Sequence, residues 1–235
     1  MNTIHITNPC GFLGRYLSAE AFIRGYRLTD DPTCADVLIL AGWRYSDPER
    51  SVGEVKSSVD LFRGHTVVGI GSQSELWTNP GPWSDYATAK ATAREIVLAS
   101  RIPIKNWVRL SSIAGRGMAR GKLVLDALTA LRRGKKLTLQ STGRELVSVC
   151  DVRLIAQNVM DLPENGTHIR NGWGERVPVT TCLESWGVPY ERGVVEHNST
   201  PPAFDDRDWN GWLDVGFTPE EFKKLLHNYD LSEIA

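Results

Sequence analysis

The chain has 235 residues, of which 41% are hydrophobic and 23% charged, with a formal net charge of −1 at pH 7. That length fits one large domain, or one domain with a small annex, and the apolar share is enough for a real core. The balanced charge excludes the basic surplus of a nucleic-acid surface, and no run approaches the roughly 18 apolar residues of a membrane span.

Residues 3–7 are a short β-prone run leading into Asn8-Pro9-Cys10-Gly11-Phe12-Leu13-Gly14. A helical pattern follows to about Arg24, with Leu13, Leu17, Phe22 and Ile23 supplying the buried face. Strand, glycine turn and helix are the setting in which backbone N–H groups at a helix N-terminus hold a pyrophosphate. Asn8 stands where the first glycine of such a turn falls, and asparagine is among the residues that tolerate a left-handed backbone. Residues 26–29 read as a second strand and residues 35–42 as a buried parallel strand. Only Asp30, Asp31, Pro32, Thr33 and Cys34 separate them. A parallel crossover takes a dozen or more residues. Either the sheet has lost one or two strands here, or residues 26–29 are not a parallel strand. Asp30 or Asp31 could replace the acidic ribose contact expected about 20 residues after the glycines. A solvated Asp-Asp-Pro turn is the alternative.

Residues 51–62 predict a helix, residues 66–71 another buried strand ending at Ser72-Gln73-Ser74, residues 85–100 a helix, and residues 107–110 a strand. Strands alternating with helices imply an α/β doubly wound, parallel, Rossmann-like sheet, truncated on one side. Its ligand crevice lies beyond the strand C-ends at Asn8, Gly42, Ser72 and Ser111. Tyr86-Ala-Thr-Ala-Lys90 puts a phenol and an amine one helical turn apart. A nearby ammonium favours the phenolate, which suits proton exchange with an alcohol. A surface helix with a solvent-facing lysine is the plainer alternative. Further on, residues 122–133 form an amphipathic helix, 136–140 a strand and 152–162 a helix returning to the sheet. Residues 167–170 and 176–178 flank Asn171-Gly172-Trp173-Gly174 as a hairpin, and residues 201–209 read as a loop. The 8 tryptophans are expected mostly in packing, some lining a pocket.

In order and spacing these pieces resemble the extended short-chain dehydrogenase/reductase family, the nucleotide-sugar epimerases, dehydratases and reductases. Residues 8–14 are similar to its glycine turn, 36–42 to its Asp-hydrophobic-Leu-Ala-Ala strand, and residues 67–77 to the strand that delivers a catalytic serine, here Ser72. Tyr86 and Lys90 match its Tyr-x-x-x-Lys. Residues 108–115 resemble Leu-Arg-Pro-Ser-Asn-Val-Tyr-Gly, residues 143–152 its Arg-Asp-Phe-Val-His-Val-Asp-Asp segment, and residues 213–221 its Leu-Gly-Trp-x-Pro ending. Four departures stand out. Asn8 replaces the first glycine, the adenine-side excursion after Asp31 is missing, Ser112 replaces an asparagine, and Leu76-Trp77 replaces Tyr-Gly.

The resemblance implies a core of residues 1–115 plus about 144–162. A small C-terminal substrate-binding annex would comprise about 116–143 and 163–235. It implies Ser72, Tyr86 and Lys90 as catalytic residues, with Lys90 lowering the Tyr86 pKa. Asn8, Gly11, Phe12, Leu13, Gly14, Leu40, Ala41, Gly42, Tyr86, Lys90, Leu110 and Ser111 would bind NAD or NADP, with NAD favoured. Ser74, Ser112 and Arg144 would meet a nucleotide sugar, Arg144 through its diphosphate. A salt bridge with Asp151 is the other reading of Arg144. Arg116 and Arg120 could also meet phosphate, although a solvated loop is the better reading. Glu75 supplies one carboxylate where the family's dehydratases place an acid pair. A homodimer through residues 51–62 and 85–100 is expected. The alternative is a degenerate member that binds a nucleotide or a protein partner without turnover; a third reading is reduction of a small ketone or aldehyde. Cys10, Cys34, Cys150 and Cys182 lack a Cys-x-x-Cys pair and read as reduced, mostly buried thiols. The N-terminus lacks the pattern of a signal peptide, so a cytoplasmic protein is expected, without membrane or nucleic-acid partners. None of the 5 histidines has a metal-ligand spacing, so no metal is expected.

Overall fold

The structure, a computed structural model, describes residues 2–76, 84–118, 123–162, 165–172 and 176–194, with 216, 217, 220 and 223 near the C-terminus. The expected loop at 201–209, Arg120, Trp77, Trp173, Gly174 and most of the 213–221 segment lie outside the described residues. β1 (Thr3–Ile6), α1 (Phe12–Ile23), β2 (Arg27–Leu28), β3 (Val37–Leu40), α2 (Pro48–Leu61), β4 (Thr66–Ser72), α3 (Ser84–Ala99) and β5 (Ile104–Leu110) form the first half. Then come β6 (Ser112–Ala114), α4 (Leu123–Arg132), β7 (Leu137–Thr138), β8 (Leu146–Val147), β9 (Val149–Asp151) and α5 (Val152–Met160). β10 (Thr167–Gly172), β11 (Val177–Pro178), α6 (Val179–Trp186), β12 (Tyr190–Glu191) and β13 (Gly216–Phe217) complete the described elements.

Six strands pair in parallel in the order β10-β5-β4-β3-β1-β2. Their apolar runs are buried on both faces because helices cover both. Ile39, Val68 and Ile70 join α1 and α5 in one cluster, while Leu38, Leu40 and Val67 join α2 and α3 in another. The alternation of side chains along each strand divides the two. Asp47 caps α2, its side chain accepting from Arg50 N at 3.0 Å with Pro48 at the first helical position. A third cluster unites α4, α6 and Val147.

The short link between β2 and β3 has a geometric solution. β2 is a parallel strand, but it pairs only with Thr3 and Ile4, and β3 begins level with Ile4 on the other side of β1. The chain never climbs to the C-terminal end of the sheet, so it needs no helix to return. Asp36 accepts from Thr3 N at 2.7 Å, and Thr3 Oγ1 donates to Cys34 O at 3.0 Å, binding the link to β1. β2 is the edge strand on this side of the sheet.

Three expectations fail. Phe22 and Ile23 are exposed, at 80% and 75%. The buried stripe of α1 runs Leu13, Leu17, Ala21, and with about 100° of rotation per residue the next two positions turn away from the sheet. The hairpin around Asn171 does not form. β10 instead occupies the outer edge of β5 as the sixth parallel strand, and β11 pairs antiparallel with β8. Cys10 and Cys34 are exposed; only Cys150 and Cys182 are buried. No helix among the described residues is long and apolar enough to cross a membrane.

Leu17, fully buried, and Phe22 therefore give a paired test. Leu17→Ala is expected to lower the unfolding free energy by about 2–5 kcal/mol, and Phe22→Ala to change it by less than about 0.5 kcal/mol. Denaturant unfolding of the two variants reads the difference directly.

Candidate active site

The turn after β1 is built on Asn8, which has a φ of 55° and so takes the left-handed conformation expected of it. A Cβ on Gly14 would lie 2.2 Å from the Asn8 carbonyl oxygen, and one on Gly11 2.5 Å from Asn8 Nδ2. Only glycines let α1 start this close to the end of β1. α1 begins without a side-chain cap and without an acidic residue in its first turn. Its free N–H groups and the positive end of its dipole thus remain available to an anion. Gly42 N donates to Thr7 Oγ1 at 2.8 Å, tying the ends of β3 and β1 together.

A cavity of about 460 Å³ opens at these strand ends. Of the residues singled out from the sequence, Asn8, Gly11, Phe12, Leu13 and Ala41 line it, as do Ser72, Ser74, Tyr86 and Lys90. Leu110, Ser111 and Ser112 complete that group. Gly14 and Gly42 instead pack against the Asn8 turn, Leu40 is core, and Arg144 is exposed outside the lining. Glu145 takes the place in the cavity expected of Arg144. Asp151 caps α5 and pairs with Arg153, its Oδ2 2.7 Å from Nη2.

Tyr86 and Ser72 line the same cavity, and the Tyr86 ring stacks on Tyr45. Ser74 Oγ donates to Ser72 Oγ at 3.0 Å, so the two serines act as a unit. The Tyr86 pKa is raised, not lowered. Burial drives the phenol well above its ordinary value, helped by Tyr45. Lys90 is pushed down to about 7 by its own burial, with Glu75 opposing the shift. Its Nζ donates to Ile70 O at 2.7 Å and lies 3.9 Å from the centroid of the Trp43 ring. The i,i+4 spacing brought the two groups to one face, but desolvation outweighs their mutual influence.

Glu75 is not a free acid for dehydration. Its side chain has no exposed surface, and it accepts from Ser72 N at 2.8 Å and from Trp107 Nε1 at 3.1 Å, with Arg109 Nε at 3.4 Å. Burial raises its pKa, and the neighbouring arginines oppose that. Asp31, the candidate ribose contact, instead caps its own turn, accepting from Thr33 N at 2.8 Å and Thr33 Oγ1 at 2.7 Å.

Among the lining residues that were not foreseen are Trp43, Tyr45, Gln73 and Glu145. Trp43 and Tyr45 directly follow the strand end at Gly42, which is where the crevice rule places ligand contacts. Trp43 meets Tyr86 edge to face at 5.9 Å, and Tyr45 stacks on it at 5.0 Å with an interplanar angle of 21°. Trp43 Nε1, Gln73 Oε1 and Glu145 Oε2 are buried without a hydrogen-bond partner among the described residues. All three belong to residues that line the cavity.

The solved structures most like this one include TunA, an NAD-dependent NDP-hexosamine 5,6-dehydratase of tunicamycin biosynthesis. It matches with a TM-score of 0.74 and 15% identity over 99% of this chain and 100% of that one. The Bordetella bronchiseptica enzyme WbmG, in complex with NAD and UDP, matches with a TM-score of 0.72 and 13% identity over 100% and 96%. UDP-N-acetylglucosamine 4-epimerase from Bacillus cereus matches at 0.67 and 15%, over 97% and 99%. The chain shares the fold of these structures, a Rossmann-like α/β architecture around a six-stranded parallel sheet. No family model and no curated protein matches the sequence. The residues fit the phosphate end of a dinucleotide through the Asn8–Gly14 turn and the uncapped α1 terminus. On the adenosine side, Asp31 is committed elsewhere and the sheet ends at β2.

The Lys90 pKa makes stability depend on pH with a definite sign. Between the ordinary 10.5 and the folded value of about 7, the unfolded lysine is charged while the folded one is neutral. Stability is then lost as pH falls through that window. Lys90→Met is expected to unfold at higher denaturant than the parent at and below pH 7, less the cost of leaving Ile70 O without its donor. The gap should close as pH rises toward 10.5, and denaturation midpoints across that range measure it.

Proposed function

We propose that this protein is an NAD-dependent enzyme acting on a nucleotide-activated sugar. The observation that carries the reading is that Ser72, Tyr86 and Lys90 line one cavity together with Asn8 and Gly11 of the glycine turn. Structures of the same fold are NAD-dependent dehydratases and UDP-sugar epimerases, which supports the same substrate class.

The dinucleotide, when bound, supplies a hydride acceptor and donor. Gly11 and the first N–H groups of α1 would hold its pyrophosphate, and Ala41 and Leu110 would border it. Tyr86 acts from its protonated form, since burial keeps the phenol neutral. It gives its proton to the substrate oxygen where negative charge develops and retakes it in the reverse direction. Ser72, steadied by Ser74, donates to the same oxygen. Gln73 and Glu145 offer acceptors to sugar hydroxyls. The exposed faces of α2 and α3 are the surfaces through which two copies would pair, in the cytoplasm.

Calorimetric titration of protein freed of carried-over nucleotide, with NAD⁺, NADH, NADP⁺ and NADPH, is the direct test. Micromolar binding of NAD is expected. Gly14→Val should abolish it, because any Cβ there meets Asn8 O at 2.2 Å. Absence of binding up to millimolar concentration would overturn the proposal. Tyr86→Phe should bind NAD like the parent and lose about 10²–10⁴ of its turnover on UDP-sugars.

A further inference from the structure

A dinucleotide site built on a strand, a glycine turn and a helix has two halves. One holds the nicotinamide and the pyrophosphate. The other holds the adenosine, with an acidic residue about 20 residues past the glycines bonding the ribose 2′-hydroxyl. In this chain the first half is furnished. Asn8 and Gly11 of the turn line one cavity with Ser72, Tyr86 and Lys90, and Ala41 and Leu110 line it too. The second half is not: no residue between Leu13 and Ala41 lines the cavity.

The path of the chain explains this asymmetry. Thr29 N donates to Ile4 O at 3.0 Å and Asp36 N to Thr3 O at 2.9 Å, so the link between β2 and β3 leaves and rejoins β1 short of Ile6. Its polar side chains are occupied locally. One Asp31 oxygen accepts from Thr33 N and Thr33 Oγ1, and the other accepts from Cys34 Sγ at 3.5 Å. Asp36 accepts from Thr3 N and Thr3 Oγ1, and His5 Nδ1 lies 3.0 Å from Thr29 O. Asp30 is exposed and stands outside the cavity lining.

We propose that this site holds a nicotinamide dinucleotide by its nicotinamide and pyrophosphate alone and leaves the adenosine to solvent. The inference rests on the cofactor reading proposed above and deepens it. A site that hydrogen-bonds a ligand hydroxyl strongly rejects an analogue in which that group is changed, because its own buried partner is left unpaired. Among the described residues of the link no such partner faces the cavity. Recognition that ends at the pyrophosphate is indifferent to the base and to the ribose 2′ position.

The test is calorimetric titration of protein freed of carried-over nucleotide with NADH, NADPH and reduced nicotinamide cytosine dinucleotide. The second adds a 2′-phosphate and the third replaces adenine with a pyrimidine, while all three keep the nicotinamide and the pyrophosphate. Their dissociation constants are expected to agree within about threefold, less than one hydrogen bond to the adenosine would contribute. Asp30→Ala is expected to bind NADH within about twofold of the parent. A preference of about tenfold or more for NADH over either analogue, or a similar loss in Asp30→Ala, overturns the proposal and leaves the proposed function standing. Failure of all three dinucleotides to bind overturns both.

Discussion

A carboxylate with no exposed surface, Glu75, fixes the geometry on which the site depends. An ion taken out of water is tolerated only where charges and hydrogen bonds replace its hydration. Glu75 finds them in Ser72 N–H, the Trp107 indole and the guanidinium groups of Arg94 and Arg109. The arrangement reaches back into the backbone of β4. A Cβ on Gly69 would lie 2.2 Å from the Trp107 ring, and one on Gly71 would lie 2.3 Å from Glu75 Oε1. Two glycines in one strand thus let an indole lie across the sheet and meet the carboxylate. The result is a fixed end to β4, with Ser72 held by its own N–H and its hydroxyl accepting from Ser74 at the cavity wall.

The second constraint is the close approach of α1 to β1. Asn8 adopts a backbone that glycine would take more easily, and its carbonyl sits against Gly14. A left-handed asparagine and a side-chain-free helix start are two halves of one fit. The short link between β2 and β3 does not disturb it, because it stays at the opposite end of β1. That separation explains how a sheet shortened on one side keeps an intact ligand crevice.

Continuous apolar runs made β1, β3, β4 and β5 readable from the sequence, and the strand–turn–helix order made the crevice readable with them. Ser72, Tyr86 and Lys90 were legible because a strand end and a helical turn place them with little freedom. What was not legible depended on distance or on register. The meeting of Tyr45 with Tyr86 joins a loop to a helix some forty residues on, and no local pattern announces it. The exchange of Arg144 for Glu145 in the lining is a one-residue difference, enough to send a side chain to the opposite side of an extended segment. The electrostatic reading of Lys90 failed for a related reason. Spacing gives proximity, whereas burial, which here decides its proton affinity, is a property of the whole assembled core.

The shortness of β2 has a consequence for association. An open strand edge is a template on which another chain can add its own strand, and long flat edges invite aggregation. On this side of the sheet the margin is two residues wide, and one of them is Arg27. Two residues offer too few aligned N–H and C=O groups to hold a foreign strand in register, and a guanidinium resists being sealed into an apolar contact. The sheet therefore ends on this side in a margin that resists further growth.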